Sequence, residues 1–158
     1  MKISKIVGLT SRLRHFVPFC TLRSIYQSLI LPYLTYGLTA WGQATKDHLN
    51  KLLFLQKHAL RLMKFLNLRT QVIPFFISSK ISPIHLLYFE AVLHSMYEVS
   101  NNSTPKAISE KFCQDHIGSF KTYNTRASSC GKYDIKFSRL NQQRNSFLCF
   151  GTKAWNCQ

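Results

Sequence analysis

The residues of this chain that could bind metal ions, move protons or attack a carbonyl are few and dispersed. Its six carboxylates (Asp47, Glu90, Glu98, Glu110, Asp115, Asp134) are scattered through 158 residues. Two-metal hydrolysis and phosphoryl transfer need acids that converge, and there is no Asp-Asp or Asp-x-Asp pair. A glycine-rich phosphate loop and a Gly-x-Ser-x-Gly elbow are both absent. Six histidines and five cysteines could form a dyad only through folding, and nothing local marks one. Cys113 and His116 have the two-residue spacer of a zinc pair, with Cys130 and Cys149 or Cys157 able to complete four ligands. Structural zinc sites are built from two tight pairs, and the second is missing, so buried or incidental thiols are the expectation. No catalytic residue, metal or cofactor is predicted.

The chemistry that remains is that of cations. Twenty-one lysines and arginines face six acids, a net charge of +15. Most of these cations cannot be paired internally, so they stay solvated or meet an anionic partner, such as a nucleic-acid backbone or an anionic membrane. A fragment separated from an acidic partner domain would carry the same imbalance. Lys57, Arg61 and Lys64 fall at i, i+4 and i+7, and no acid occurs between Asp47 and Glu90. A face kept soluble by mixed charge would intersperse both signs. Lys2, Lys5, Arg12 and Arg14 lie between apolar positions near the start, and the polar segment Tyr123-Asn124-Thr125-Arg126 ends in another cation.

A hydrophobic fraction of 46%, with 12 Phe, 7 Tyr and 2 Trp, supplies a core to hold these charges in place and argues against a disordered tail. Residues 2–17 place Ile3, Ile6, Val7, Leu13 and Phe16 on one helical face, and Pro18 stops the run. Thr21 can cap a second helix whose inward side is Leu22, Ile25, Tyr26, Leu29 and Tyr33, with a kink expected at Pro32. Gly37 and Gly42 flank Trp41 in a bend. No charge appears between Ser24 and Thr45, a run long enough to cross a bilayer, for which about 20 residues suffice. Gln27, Ser28, Pro32, Thr35, Tyr36 and Gly37 interrupt it, so a buried helix followed by a turn is the better reading, and no membrane partner is expected.

A third helix, capped by Thr45 and favoured at its positive end by Asp47, is predicted to run to about Leu68, with Leu49, Leu52, Leu53, Leu60 and Met63 inward. Ser82-Pro83 opens a fourth, apolar almost all round and expected to be central, carrying Ile84, Leu87, Tyr88, Ala91 and Val92 towards Val99. Asn101-Asn102-Ser103 is the predicted boundary, dividing residues 1–100, a helical body, from 101–158, a C-terminal appendage. Thr104-Pro105 starts a short fifth helix with Ile108 and Phe112. Beyond it Tyr133, Ile135 and Phe137 alternate with Lys132, Asp134 and Lys136 like a half-buried strand, and residues 145–150 are expected to pair with it. Trp155 reads as a packing anchor. The fold class is therefore mainly α, a helical bundle with a small irregular or α+β appendage. Five cysteines at irregular spacing behind a charged start, without a continuous apolar leader, suggest reduced thiols in an intracellular setting, nucleus or cytoplasm.

In order along the chain, the run Ile25-Tyr26-Gln27-Ser28-Leu29-Ile30-Leu31-Pro32-Tyr33-Leu34-Thr35-Tyr36-Gly37 precedes Trp41-Gly42, then Leu55-Gln56-Lys57-His58-Ala59-Leu60-Arg61. Tyr123-Asn124-Thr125-Arg126 follows, then Asn145-Ser146-Phe147, Gly151 and Trp155-Asn156. In this order and spacing, over nearly the whole chain, they resemble the C-terminal region of jockey-like non-LTR retrotransposon reverse transcriptases. The resemblance implies a thumb-like bundle that holds the template–product duplex, a palm domain as its missing partner, and RNA or an RNA–DNA hybrid backbone as its ligand. The palm's metal-binding aspartates and the endonuclease have no counterpart here. Cys157-Gln158 stands where the family continues with Leu-Pro, which suggests a truncated or degenerate frame. Lys57, Arg61, Lys64, Lys5, Arg12, Arg14 and Arg126 are the candidate phosphate contacts. A structural remnant without retained activity and a small membrane protein built around residues 24–45 are the alternatives.

Overall fold

Large apolar side chains at a strict four-residue spacing, one proline and two glycines decide how the first part of the chain folds. Leu22, Tyr26, Ile30, Leu34 and Leu38 are all almost fully buried. A continuous α-helix turns once per 3.6 residues, so four-residue steps would drift by about 40° each and leave the core. The computed structural model, which describes residues 2–44, 46–112, Tyr133, Ile135 and 139–157, resolves this with a wider turn. After α1 (Lys2–Leu13), α2 (Phe19–Ile25) passes into a π-helical turn (Tyr26–Ile30) and then α3 (Leu31–Thr35). The Leu31 N–H reaches back to the Tyr26 carbonyl, the i→i+5 bond of a π-turn. Pro32 follows at once; it has no N–H and its ring crowds the carbonyl four residues earlier. The bulge lies directly before Pro32, where the kink was expected, and holds the four-residue row on one side. Leu29 and Tyr33, expected inward, are consequently 40% and 49% exposed.

Gly37, at φ +60, turns the chain into α4 (Leu38–Trp41), and the Trp41 indole N–H bonds to the Tyr36 carbonyl at 2.7 Å. Gly42 is buried, and a Cβ there would collide with the Tyr88 ring and the Leu38 carbonyl. The expected bend is thus a four-residue helix between two glycines. The next helix, α5 (Lys46–Met63), has Asp47 in its first turn and packs along α1 and against α2. Its buried residues are Leu49, Gln56, Ala59, Leu60 and Met63, with Leu52 and Leu53 half-buried. The capping expected of Thr45 lies outside the described residues. On α1, Ile3, Val7 and Thr10 face inward; the helix ends at Leu13, and Phe16, expected on the buried face, projects from the turn at 85% exposure.

The α5 helix stops short of Leu68 because Phe65 adopts a left-handed conformation at φ +54. The Leu66 N–H then bonds to the Arg61 carbonyl and that of Phe65 to the Leu62 carbonyl, the paired closure of a Schellman motif. A short helix with no clear signal in the sequence follows, α6 (Ile73–Ser79), burying Phe76 and Ser79 and closing in the same way on Lys80 at φ +53. Its seven residues, with Pro74 in the second position, are too few to show a helical period.

Gln56 is buried within α5 and makes the most connected polar contact of this region. Its Oε1 accepts the Ile84 N–H at 2.8 Å, while its Nε2 donates to the Tyr26 hydroxyl at 3.0 Å and to the Ser82 carbonyl at 3.4 Å. A backbone N–H can only donate, so the amide orientation is fixed by its partners. Ile84 begins α7 (Ile84–Ser100), and the N–H groups of a first helical turn have no partner within their own helix. Side-chain capping comes from another helix through Gln56. The α7 helix is apolar almost all round, as expected, but it is not covered all round: Leu86, Phe89 and Tyr97 are exposed.

Two compact units divide the chain, Met1–Tyr88 and Phe89–Gln158, so α7 belongs to both. The helix ends at the Asn101-Asn102-Ser103 break, where Asn102 is left-handed and the Ser103 N–H bonds to the Glu98 carbonyl. The second unit contains α8 (Lys106–Ser109), a 3-10 turn (Glu110–Phe112), α9 (Asn141–Arg144) and α10 (Phe147–Asn156). Met96, Val99, Phe112 and Tyr133 form its core, with Phe147 and Trp155 packed against them. Phe112 meets the Phe147 ring edge-on at 5.1 Å. Residues 145–150 do not pair as a strand: Phe147, Gly151 and Trp155 recur at i, i+4 and i+8, and that period puts them on one helical face. Tyr133 and Ile135 have no regular structure, and no strand occurs among the described residues. The protein is mainly helical, as its periodicity implies.

Two thermal-melt comparisons follow from the backbone. Gly42→Ala is expected to destabilise by about 1–3 kcal/mol through overpacking. Lys80→Gly is expected to stabilise by about 1 kcal/mol, because Lys80 is exposed and a left-handed residue with a Cβ costs that order of energy.

Burial raises the Tyr26 hydroxyl above its ordinary value near 10, partly offset by the hydrogen bond from Gln56. The folded state therefore holds this group neutral after the unfolded chain has begun to ionise. Its contribution is complete below pH 10 and is lost as the pH climbs from there through the folded value. Tyr26→Phe is expected to cost about 1 kcal/mol at neutral pH. The gap to wild type should narrow at pH 11, measured by urea unfolding; a gap independent of pH would contradict this role for Tyr26.

Candidate nucleic-acid interface

Charge is divided unequally between the two units. Residues 1–88 carry twelve lysines and arginines against the single carboxylate Asp47, a net of +11, while the remainder carry nine against five, a net of +4. In the first unit the candidate cations stand on α1 and α5, which pack on each other, or, for Arg14 and Lys64, directly after their last residues. Arg12 lies in the last turn of α1 and Arg61 in the last turn of α5, where a helix presents partial negative charge. The C-terminal ends of these helices meet: Arg14 sets its guanidinium 5.1 Å from the centre of the Phe65 ring, and His15 meets that ring edge-on at 5.5 Å. The Arg14 Nε also donates to His15 Nε2 at 3.1 Å.

Lys57, Arg61 and Lys64 are not fully open to solvent. All three are half-buried. Arg61 Nη2 donates to the Thr70 carbonyl at 3.2 Å, tying the segment after α5 back onto the helix, and its Nε is buried without a hydrogen-bond partner. Lys64 places its ammonium 3.9 Å from the centre of the Phe19 ring, a cation–π contact that spans to the start of α2. The left-handed turn at Phe65 directs the following chain back towards α5, where Thr70 meets Arg61. Lys5 and Arg12 are exposed. Lys5 lies about 13 Å along the α1 axis from Arg14, from the helical rise of about 1.5 Å per residue.

The fold thus brings together Arg14, Arg61 and Lys64 at one end of the α1/α5 pair, with Arg12 and Lys57 close by in sequence and Lys5 at a distance. None of these six has a carboxylate within ion-pair range among the described residues; the ion pair seen there joins His94 to Glu98 at 3.5 Å. Arg126, with Tyr123, Asn124 and Thr125, lies outside the described residues. Sequence reasoning names the cations and misses their aromatic partners, Phe19 and Phe65, together with His15. The available signal is the alternation of Arg12, Arg14, His15, Phe16 and Phe19 with Lys64-Phe65.

Among the described residues no three metal-ligating side chains converge. Cys113, His116 and Cys130 lie outside them, while Cys20 and Cys157 are exposed thiols and Cys149 is buried. No described helix is long and apolar enough to cross a membrane. The uncharged run 24–45 is divided among α2, the π-turn, α3 and α4.

Residues that carry the reverse-transcriptase resemblance sit at junctions of the fold. Tyr26 bonds to Gln56, Gly42 admits Tyr88, and a Cβ added at Gly151 would stand only 3.0 Å from the Met96 sulfur. Asn156 makes two bonds to the Tyr133 backbone, accepting its N–H at 3.1 Å and donating to its carbonyl at 2.8 Å. No protein-family model matches this chain, and neither characterised proteins nor solved structures give a match to it.

The half-burial of Arg61 separates two charge reversals. Arg61→Glu is expected to lose about 1–3 kcal/mol of stability, since it removes the bond to Thr70 and leaves a carboxylate partly buried. Lys5→Glu, on the exposed face, should change stability by less than about 0.5 kcal/mol. Chemical denaturation of the two variants checks the difference.

Proposed function

We propose that this chain is a non-catalytic C-terminal portion of a retrotransposon RNA-directed DNA polymerase that contacts template–product nucleic acid through phosphates. The observation that carries this reading is the concentration of positive charge in the first helical unit, with Arg14, Arg61 and Lys64 gathered where α1 and α5 end. Phosphate contacts of this kind position a nucleic acid without reading its sequence. Arg61 and Lys64 are already engaged by a carbonyl and a ring, and they retain further donor capacity: five N–H groups for arginine, three for lysine. Lys5 and Arg12 are open to solvent. The sequence resemblance supplies the polymerase context, and with it the palm domain as a partner. The scattered carboxylates support a role without chemistry of its own.

A second reading, a structural remnant with no retained activity, is favoured by the exposed apolar side chains Phe16, Tyr36, Leu68, Ile73 and Ile77. Gel filtration of the isolated chain distinguishes them: aggregation without nucleic-acid binding supports the remnant.

Fluorescence anisotropy with an RNA–DNA hybrid tests the first reading. If about five phosphates are neutralised, log K should fall against log salt with a slope of roughly −4 to −5. Reversing charge at Lys5 and Arg12 together should reduce that slope while the circular dichroism spectrum stays the same. Affinity indifferent to salt, or no binding at low salt, overturns the proposal.

A further inference from the structure

Resting on that reading of the basic cluster, we infer that it binds unpaired nucleotides, stacking a base on Phe65 while the surrounding cations hold the adjoining phosphates. Phe65 occupies a left-handed position at φ +54, a conformation that bulky side chains rarely take. Lys80 and Asn102 close helices with the same backbone, but one is a flexible cation and the other a residue that tolerates this region. An aromatic ring at such a turn is the outlier, and backbone strain of this kind gathers at functional sites. Its ring is not spent on the core, since Phe65 remains 57% exposed.

What surrounds the ring identifies its occupant. Arg14 stands at 5.1 Å and His15 at 5.5 Å from its centre, Lys64 precedes it, and Phe16 projects from the turn that carries His15. Exposed rings interleaved with cations that lack carboxylate partners favour a ligand with both a π-face and negative charge. Single-stranded nucleic acid has both at every residue, and its proteins combine basic tracks with aromatic platforms. A stacked duplex offers phosphates but hides its base faces except at ends and junctions. The cluster is therefore suited to a single-stranded stretch or the unpaired end of a hybrid, and sequence preference is weak because every base has a stacking face.

The test uses the full chain with an oligoadenylate containing a fluorescent adenine analogue quenched by stacking, and with a blunt duplex of the same length. Phe65→Gly removes the ring at a position where glycine is at ease, and Phe16→Ser removes an exposed ring from a turn. Wild type should quench the analogue and prefer the single strand. Phe65→Gly should lower the single-strand affinity roughly tenfold relative to duplex and abolish the quenching, while the salt slope is kept. Thermal melts confirm that both variants fold. Equal losses for single strand and duplex would mean that Phe65 only positions Arg14 and His15, and would overturn the inference. So would salt-dependent duplex binding without quenching, an outcome that leaves the proposed phosphate contacts standing. No binding to either probe removes both.

Discussion

The first unit is organised around the amide of Gln56. A glutamine side chain brought out of water loses hydrogen bonds to both its ends, and each must be replaced if the fold is to keep it. Here the oxygen meets the opening N–H of α7 and the nitrogen meets Tyr26 and Ser82. Because the two ends differ chemically, the three segments can assemble in one arrangement and not in a slipped one. The apolar row Leu22–Tyr26–Ile30–Leu34–Leu38 would fit against many helices; the amide selects which one, and at what depth. Tyr26 belongs to both systems, with its ring in the row and its hydroxyl on the amide.

The long helices are legible in the sequence because period and capping agree. Residues 46–63 show a helical apolar face over several turns, residues 84–100 are apolar almost throughout behind Ser82-Pro83, and the charge imbalance needs no fold to be counted. The errors fall where one local rule overrides another. A constant 3.6-residue period assigns Leu29 and Tyr33 inward, but the π-turn before Pro32 moves Ile30 and Leu34 there. The alternation of Tyr133, Ile135 and Phe137 suggests a strand partner in residues 145–150, whereas Phe147, Gly151 and Trp155 answer to a longer-range period and one close approach to Met96. Of the candidate site, the cations can be named from sequence, but not their attachments. The bond from Arg61 to Thr70 depends on a left-handed phenylalanine, a choice no propensity scale anticipates, and the contact of Lys64 with Phe19 joins residues far apart in the chain.

Under the proposed function, those attachments bear on how the cluster would meet a ligand. A lysine or arginine free in water loses rotamer freedom when it binds, of order 2 kcal/mol for such long side chains. Arg14, Arg61 and Lys64 are already oriented by a ring or a carbonyl, so part of that cost falls on folding and not on association. The same contacts hold like charges near one another, a repulsion that an incoming anion relieves. On that reading, folding and binding would be opposed at this end of the α1/α5 pair in electrostatics, yet aligned in side-chain order.

The π-turn has a consequence for how the chain tolerates changes in length. It acts as a vernier: one additional residue per turn resets the angular phase of everything downstream, so that α3 and α4 present the correct edge to the core. Loss of a single residue between Tyr26 and Ile30 would let the backbone relax to ordinary α geometry with Leu34 and Leu38 close to their present phase, whereas one added residue would rotate them by about 100°. Such an insertion leaves composition and helix content almost untouched and dismantles the packing, so this five-residue stretch is open to shortening and closed to lengthening.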